Sequence, residues 1–208
     1  MIKALLLVFE PEAAWERIFR SQRKLLSILW LHVMPMLVLV ALAEGYGLVT
    51  WGRWQQDSER LKVFALGEAV VYEVLQLLLM LAVVFIGAKI IKSLGETFHG
   101  RHTYLQAFTV VAYGLSPLFL LRLCDAFKTV SPWVSWTIGI VLCVAILYQG
   151  VPRIMLPDPP HAFGLYLMSA LMLAIITGLA RFVTAWYLTG MFKPVEEFIL
   201  ALSAKLPF

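Results

Sequence analysis

Apolar residues run along this chain in long blocks separated by short polar or turn-forming stretches. The most informative block covers residues 64–92, whose middle, from Val74 to Ala88, carries no charge. Crossing the roughly 30 Å hydrocarbon layer of a bilayer takes about 20 mostly apolar residues, and this block exceeds that. With about 100° per residue, Glu68, Tyr72 and Gln76 form one stripe, with Glu73 at its margin. Val70, Val74, Leu78, Leu81 and Phe85 fall on the opposite side. The pattern predicts a transmembrane helix with one face for lipid and one for protein.

Four more blocks read the same way. Residues 25–49 contain Pro35 and end near Glu44, Gly45 and Gly47; neighbouring helices can re-satisfy a carbonyl freed by an intramembrane proline. Residues 104–124 contain Gly114 and Pro117, which predict a kink or local loosening. Residues 133–149 form the shortest span, ended by Gly150, Val151 and Pro152, with LPDPPHAF as a rigid connector. Residues 162–190 carry a small-residue face, Ala170, Ala174, Thr177, Gly178 and Ala185, interrupted by Arg181. Small residues at this spacing let helix backbones approach closely in lipid. Before the first span, residues 1–24 hold an apolar stretch too short to cross, without a small-residue cleavage site that would mark a signal peptide. After Pro11, Ala14, Trp15, Ile18 and Phe19 alternate with charged residues. Two dispositions fit that amphipathic pattern, a helix lying in the membrane interface or an arm packed on the bundle.

The fold class is therefore an all-α integral membrane protein, a bundle of five transmembrane helices with a short N-terminal interfacial amphipathic helix. Its organisation reads as an arm (1–24), a five-helix domain (25–190) and a C-terminal tail (191–208). Composition agrees. Of the 208 residues, 61% are hydrophobic and only 14% charged, against about 25% charged in a soluble domain. Mean hydropathy is +0.84. The net charge of +4, with no basic face interleaved with aromatics, suits contact with anionic lipid and argues against nucleic acid as a partner. Lys3, Arg17, Arg20, Arg23 and Lys24 concentrate at the N-terminus, which predicts a cytoplasmic N-terminus and, with five spans, a C-terminus on the opposite side. Trp51, Trp54, Trp133, Trp136 and Trp186 then fall at the non-cytoplasmic ends of spans, as an aromatic belt does. Cys124 and Cys143 lie at different depths, and a disulfide between them is not expected. The turn KSLGETFHGRHTY is expected to be solvated.

Candidate chemistry is confined to ionisable groups inside the membrane. Glu73 and Arg181 fall at similar depth, and Glu68, Glu44, Arg122 and Asp125 lie near that level. A charge at mid-membrane costs roughly 2.5–3.5 kcal/mol on insertion scales, so such groups pair or face a water-filled cavity. The expected cluster is Glu68, Tyr72, Glu73, Gln76, Arg181, Glu44, Arg122 and Asp125, with Arg181 contacting Glu73 or Glu68. It is either an interhelical clamp or a polar pocket for an ion, proton or lipid headgroup. No nucleophile elbow, HExxH helix or phosphate-binding glycine loop occurs. No catalytic residue, metal ligand or cofactor site is read from the sequence. Asp158 before two prolines belongs to a turn, and Ser116 beside Pro117 is a packing or hydrogen-bonding residue.

Three motifs in order, PEAAWERI (Pro11–Ile18), GRHTYLQAFTVVAYGLSP (Gly100–Pro117) and LYQGVPRIM (Leu147–Met155), resemble the Yip (Ypt-interacting protein) domain family, compact bacterial members especially. The resemblance implies a multi-pass membrane protein with a cytosolic N-terminus. It carries over as architecture at Pro11, Trp15, Gly100, Tyr104, Ala112, Tyr113, Pro117, Tyr148, Gly150 and Pro152. Eukaryotic relatives are associated with Rab-type GTPases. This chain has only residues 1–24 ahead of its first span and lacks the family's Asp-Leu-Tyr-Gly signature, which argues against a GTPase partner. The expectation is a non-enzymatic scaffold in the bacterial inner membrane, organising the bilayer, other membrane proteins or copies of itself. The alternative is a small transporter or lipid- or ion-handling protein using the Glu/Arg cluster.

Overall fold

The computed structural model describes residues 2–54, 61–98 and 102–188. Gly100, His99, the end of the expected fifth span (189–190) and the tail (191–208) lie outside the described residues. Among the described residues, five helices are long and apolar enough to cross a membrane: Leu25–Thr50, Leu66–Thr97, Tyr104–Ala126, Pro132–Met155 and Pro159–Leu188, spans one to five. The fold is the all-α membrane bundle that the hydropathy pattern predicts. Span three is its axis. In its most apolar window 78% of the residues are buried, against 28% in span five. Span three therefore faces protein on nearly every side while the others show a flank to lipid.

Two helices precede the spans, α1 (Ile2–Phe9) and α2 (Pro11–Ser21). Pro11 opens α2 in its first turn, where its missing N–H costs nothing. Of the two dispositions open to the arm, the structure shows it packed on the bundle. Leu7 is fully buried, and α1 lies against residues 116–122 of span three. In α2, Ala14, Trp15 and Ile18 are buried while Glu12, Glu16 and Arg17 face outward. Trp15 is the anchor. Its indole N–H donates to the Ile146 carbonyl at 3.1 Å, and its ring occupies the space where any side chain at Gly150 would stand, 2.3 Å from a Cβ built there.

Prolines break the spans where backbone geometry demands it. In span one, residues Leu29–Val33 form a π-helical turn just ahead of Pro35. The wider turn accommodates the proline ring, which would otherwise press on the carbonyl four residues back. Span three breaks at Leu115, between Gly114 and Pro117, into Tyr104–Gly114 and Ser116–Arg122, and closes in a 3-10 turn, Leu123–Ala126.

Several boundaries differ from the sequence reading. Span two continues to Thr97, carried by a Lys92–Glu96 pair at 3.1 Å one turn apart. Span four does not stop at Pro152 but reaches Met155, giving 24 residues, one more than the 23 of span three. There Arg153 donates back to the Gln149 side chain at 3.0 Å. Span five starts inside the expected connector, because Pro159 suits a first helical turn. His102 is buried rather than solvated, seated on Gly95. Between spans one and two the polar loop carries a two-residue antiparallel ladder, β1 (Arg53–Trp54) with β2 (Leu61–Lys62), too short to form a layer of its own.

Spans pack through small residues. Gly87 of span two meets Leu173 of span five, Gly139 of span four meets Leu118 of span three, and Gly178 of span five meets Trp136 of span four. The face read from Ala170, Thr177 and Arg181 is buried in the bundle.

Candidate functional site

The site begins with a glycine. A Cβ at Gly47 would lie 2.2 Å from the Ala126 carbonyl oxygen, so the backbone of span one touches the 3-10 turn that ends span three. One turn before Gly47, that contact sets Glu44 against Arg122. The Arg122 Nη2 donates to Glu44 Oε2 at 3.1 Å, with both side chains inside the bundle. From span two, Gln76 Nε2 donates to the same carboxylate oxygen at 2.7 Å and reaches Glu73 Oε2 at 3.5 Å. Asp125, in the 3-10 turn, sits 3.9 Å from Arg122 Nε and accepts a hydrogen bond from Arg181 of span five. Arg181 Nε also donates to the Pro132 carbonyl at the start of span four, at 3.3 Å.

This network is one polar chain across the bundle, from Glu73 through Gln76, Glu44, Arg122 and Asp125 to Arg181. It touches all five spans. Arg53, read from sequence only as part of a loop, completes it by donating to the Asp125 carbonyl and, at 3.5 Å, to that of Val130. The carboxyl groups of Glu44, Glu73 and Asp125 thus stand among the guanidinium groups of Arg53, Arg122 and Arg181, and their formal charges balance. In the sequence, Arg53 could have been singled out only through its neighbours Trp51 and Trp54, which the aromatic-belt pattern picks out.

Two sequence expectations need correction. Arg181 pairs with Asp125, not with Glu73 or Glu68. The 3-10 turn draws Asp125 inward, which periodicity on a single helix cannot show. Glu68 stands outside the buried group. It is half-exposed at the start of span two, where it accepts from the Ala65 N–H at 3.2 Å and pairs with Lys62 at 3.2 Å. A carboxylate there offsets the free amides and positive dipole of a helix N-terminus. Tyr72 adjoins the cluster, its hydroxyl without a hydrogen-bond partner among the described residues and its ring stacked 5.6 Å from Tyr187.

The charges lie between two apolar layers. Leu48, Phe64, Ala69, Tyr72 and Leu188 close one side; the main core, including Met36, Val84, Leu115 and Leu118, closes the other. Some polar atoms of the cluster have no hydrogen-bond partner among the described residues, including Glu44 Oε1, Glu73 Oε1, Gln76 Oε1, Asp125 Oδ1, Arg122 Nε and Arg181 Nη1. Glu73 also borders a cavity of about 380 Å³ between spans one and two, walled otherwise by residues such as Val38, Leu42 and Val74. Among the described residues no group of His, Cys, Asp and Glu could hold a metal ion.

A second polar group, absent from the expected cluster, lies toward the arm. His32 of span one is buried, hydrogen-bonded at 2.8 Å to Ser116 of span three, with its ring tilted 31° against that of Tyr113 at 4.2 Å between centroids. Most of the family-type motif residues gather at this end. Trp15 rests on Gly150 and meets the Tyr113 ring edge-on at 6.4 Å. Tyr104 donates to the Phe85 carbonyl at 3.2 Å, Ala112 is fully buried, and Pro117 starts the second half of span three. Tyr148 is exposed beside Tyr166. Pro152 and Pro11 are half-buried.

Neither the curated proteins nor the solved structures contain a match to this chain. Against known families, residues 5–192 match the Yip1 domain. That match covers all five spans and nearly the whole arm, including each of the three motifs. The chain belongs to the Yip1 domain family of membrane proteins.

Proposed function

We propose that this protein is a non-enzymatic membrane scaffold that organises the bilayer or neighbouring membrane proteins, with its intramembrane charges serving as a structural clamp. The observation that carries this reading is the placement of the paired Glu44–Arg122 and Asp125–Arg181 groups between two apolar layers. Charges arranged that way fix the helices against one another, and both arginine–carboxylate pairs are closed off inside the bundle. Family membership supports it, since Yip1 proteins are generally not enzymes. The partners proposed are the bilayer itself, other membrane proteins or a second copy of the chain. We place it in the bacterial inner membrane with the basic N-terminal arm cytoplasmic and the C-terminus opposite, on the charge bias of residues 3–24 and five spans.

The transporter reading is favoured by one feature, the open oxygen valences of Glu44, Glu73, Gln76 and Asp125. Reconstitution into liposomes separates the two. For the scaffold, wild-type protein shows no ion or lipid flux above empty vesicles. A flux that Glu73→Gln abolishes would establish transport and remove the clamp as the main role.

A further inference from the structure

Far from the charged clamp, the arm leaves a pocket of about 330 Å³ where it meets spans one and three. Its rim is polar. Ser21, Gln22 and Arg23 line it from the end of α2, and Thr103 lines it from the N-cap of span three. Its walls are apolar, chiefly Ile18, Ile28 and Leu105. Tyr113 forms the inner end, 1% exposed, with a hydroxyl that has no hydrogen-bond partner among the described residues.

We propose that this pocket binds the headgroup region of an anionic phospholipid, Arg23 taking the phosphate and the Tyr113 hydroxyl donating to a glycerol or ester oxygen beneath it. Arg23 is half-buried and, among the described residues, has no carboxylate partner. The acids of α2 are engaged elsewhere, Glu12 with Arg153 and Glu16 with Arg20. Arginine forms its strongest hydrogen bonds with such oxyanions. Because Thr103 and Leu105 line the pocket, the positive end of span three also faces it, where a helix favours an anion.

Tyr113 supplies the second, independent element. Its ring is held by His32 on one face and by the edge contact with Trp15. Helical side chains lean toward the N-terminus of their helix, which for span three is the end that carries the rim residue Thr103. A buried, fixed hydroxyl without a partner is costly, and an ester or glycerol oxygen of the lipid would accept its hydrogen bond. The pocket's location favours a lipid over a soluble phosphate compound. Its rim precedes Leu25 and Tyr104, the first residues of their spans, and its walls continue into the apolar part of both. Exposed Arg17, Arg20 and Lys24 add attraction for an anionic leaflet.

The site is separate from the clamp, and its test reads binding rather than flux, so either reading can fail alone. The full chain, purified in detergent, is titrated with phosphatidylglycerol or phosphatidylcholine and followed by native mass spectrometry. The expected result is about a tenfold preference for phosphatidylglycerol, lost in Arg23→Gln and retained in Arg23→Lys. Tyr113→Phe keeps both ring contacts and weakens binding by about threefold while preserving the preference. Melting curves confirm that each variant is folded. Equal binding of the two lipids overturns the proposal, as does an unaltered preference in a folded Arg23→Gln protein. Displacement of phosphatidylglycerol by an equal concentration of inorganic phosphate overturns the lipid assignment in favour of a soluble phosphate.

Discussion

At residue scale, glycine is used here as a seat for something large. Gly150 admits the Trp15 ring and Gly47 admits the backbone of Ala126, and in both cases an added methyl would overlap the occupant. The two sites differ in what can yield. At Gly150 the obstacle is a side chain that belongs to the arm, so Gly150→Ala is expected to displace α2 and break the Trp15–Ile146 hydrogen bond. Overpacking of this kind costs about 1–3 kcal/mol, and Trp15→Phe, which removes the donor while keeping a ring, costs about 0.5–1.5 kcal/mol. Limited proteolysis between residues 21 and 25 measures both, faster cleavage in Gly150→Ala being the expected order. At Gly47 the obstacle is backbone, which cannot rotate away, so Gly47→Ala is expected to separate Glu44 from Arg122 as well. Equal melting temperatures for wild type and Gly47→Ala would contradict the contact that builds the site.

At the scale of elements, the clamp predicts non-additivity. Removing one member of a buried ion pair leaves an uncompensated charge and costs about 3–5 kcal/mol, whereas replacing both by packed apolar residues is often neutral. Arg122→Met and Glu44→Gln are each expected to lower stability in detergent sharply, and the double variant to lose less than the two losses added. Strict additivity would mean that the groups do not form one network. The sequence made some of this legible and hid the rest for a definable reason. Periodicity placed Tyr72, Glu73 and Gln76 on the inward face of span two, and it found the kink at Gly114 and Pro117. It gave the face on which Arg181 sits but not the partner across from it, because Asp125 reaches Arg181 only through a 3-10 turn. Glu68 shares the stripe of Tyr72 and Gln76 but stands one turn nearer the helix start, where it serves the free amides instead. The seat of Trp15 on Gly150 joins residues far apart in sequence, and no local pattern encodes it.

For the whole molecule, five spans make a topological claim that local packing cannot make. An odd number of crossings places the arm on one side of the membrane and the connection between spans three and four on the other. Ser21 ends α2 and Ser131 precedes span four, and both are exposed. Single cysteines at these positions, in a background with Cys124→Ser and Cys143→Ala, report the two faces. In sealed right-side-out vesicles, a membrane-impermeant maleimide is expected to label Ser131→Cys and to spare Ser21→Cys until the vesicles are opened. The reverse pattern would keep five crossings but invert the orientation, which would move the basic arm and its pocket to the opposite leaflet. Labelling of both positions in sealed vesicles would break the bundle itself, since the charged chain from Glu73 to Arg181 exists only if all five spans cross at one register.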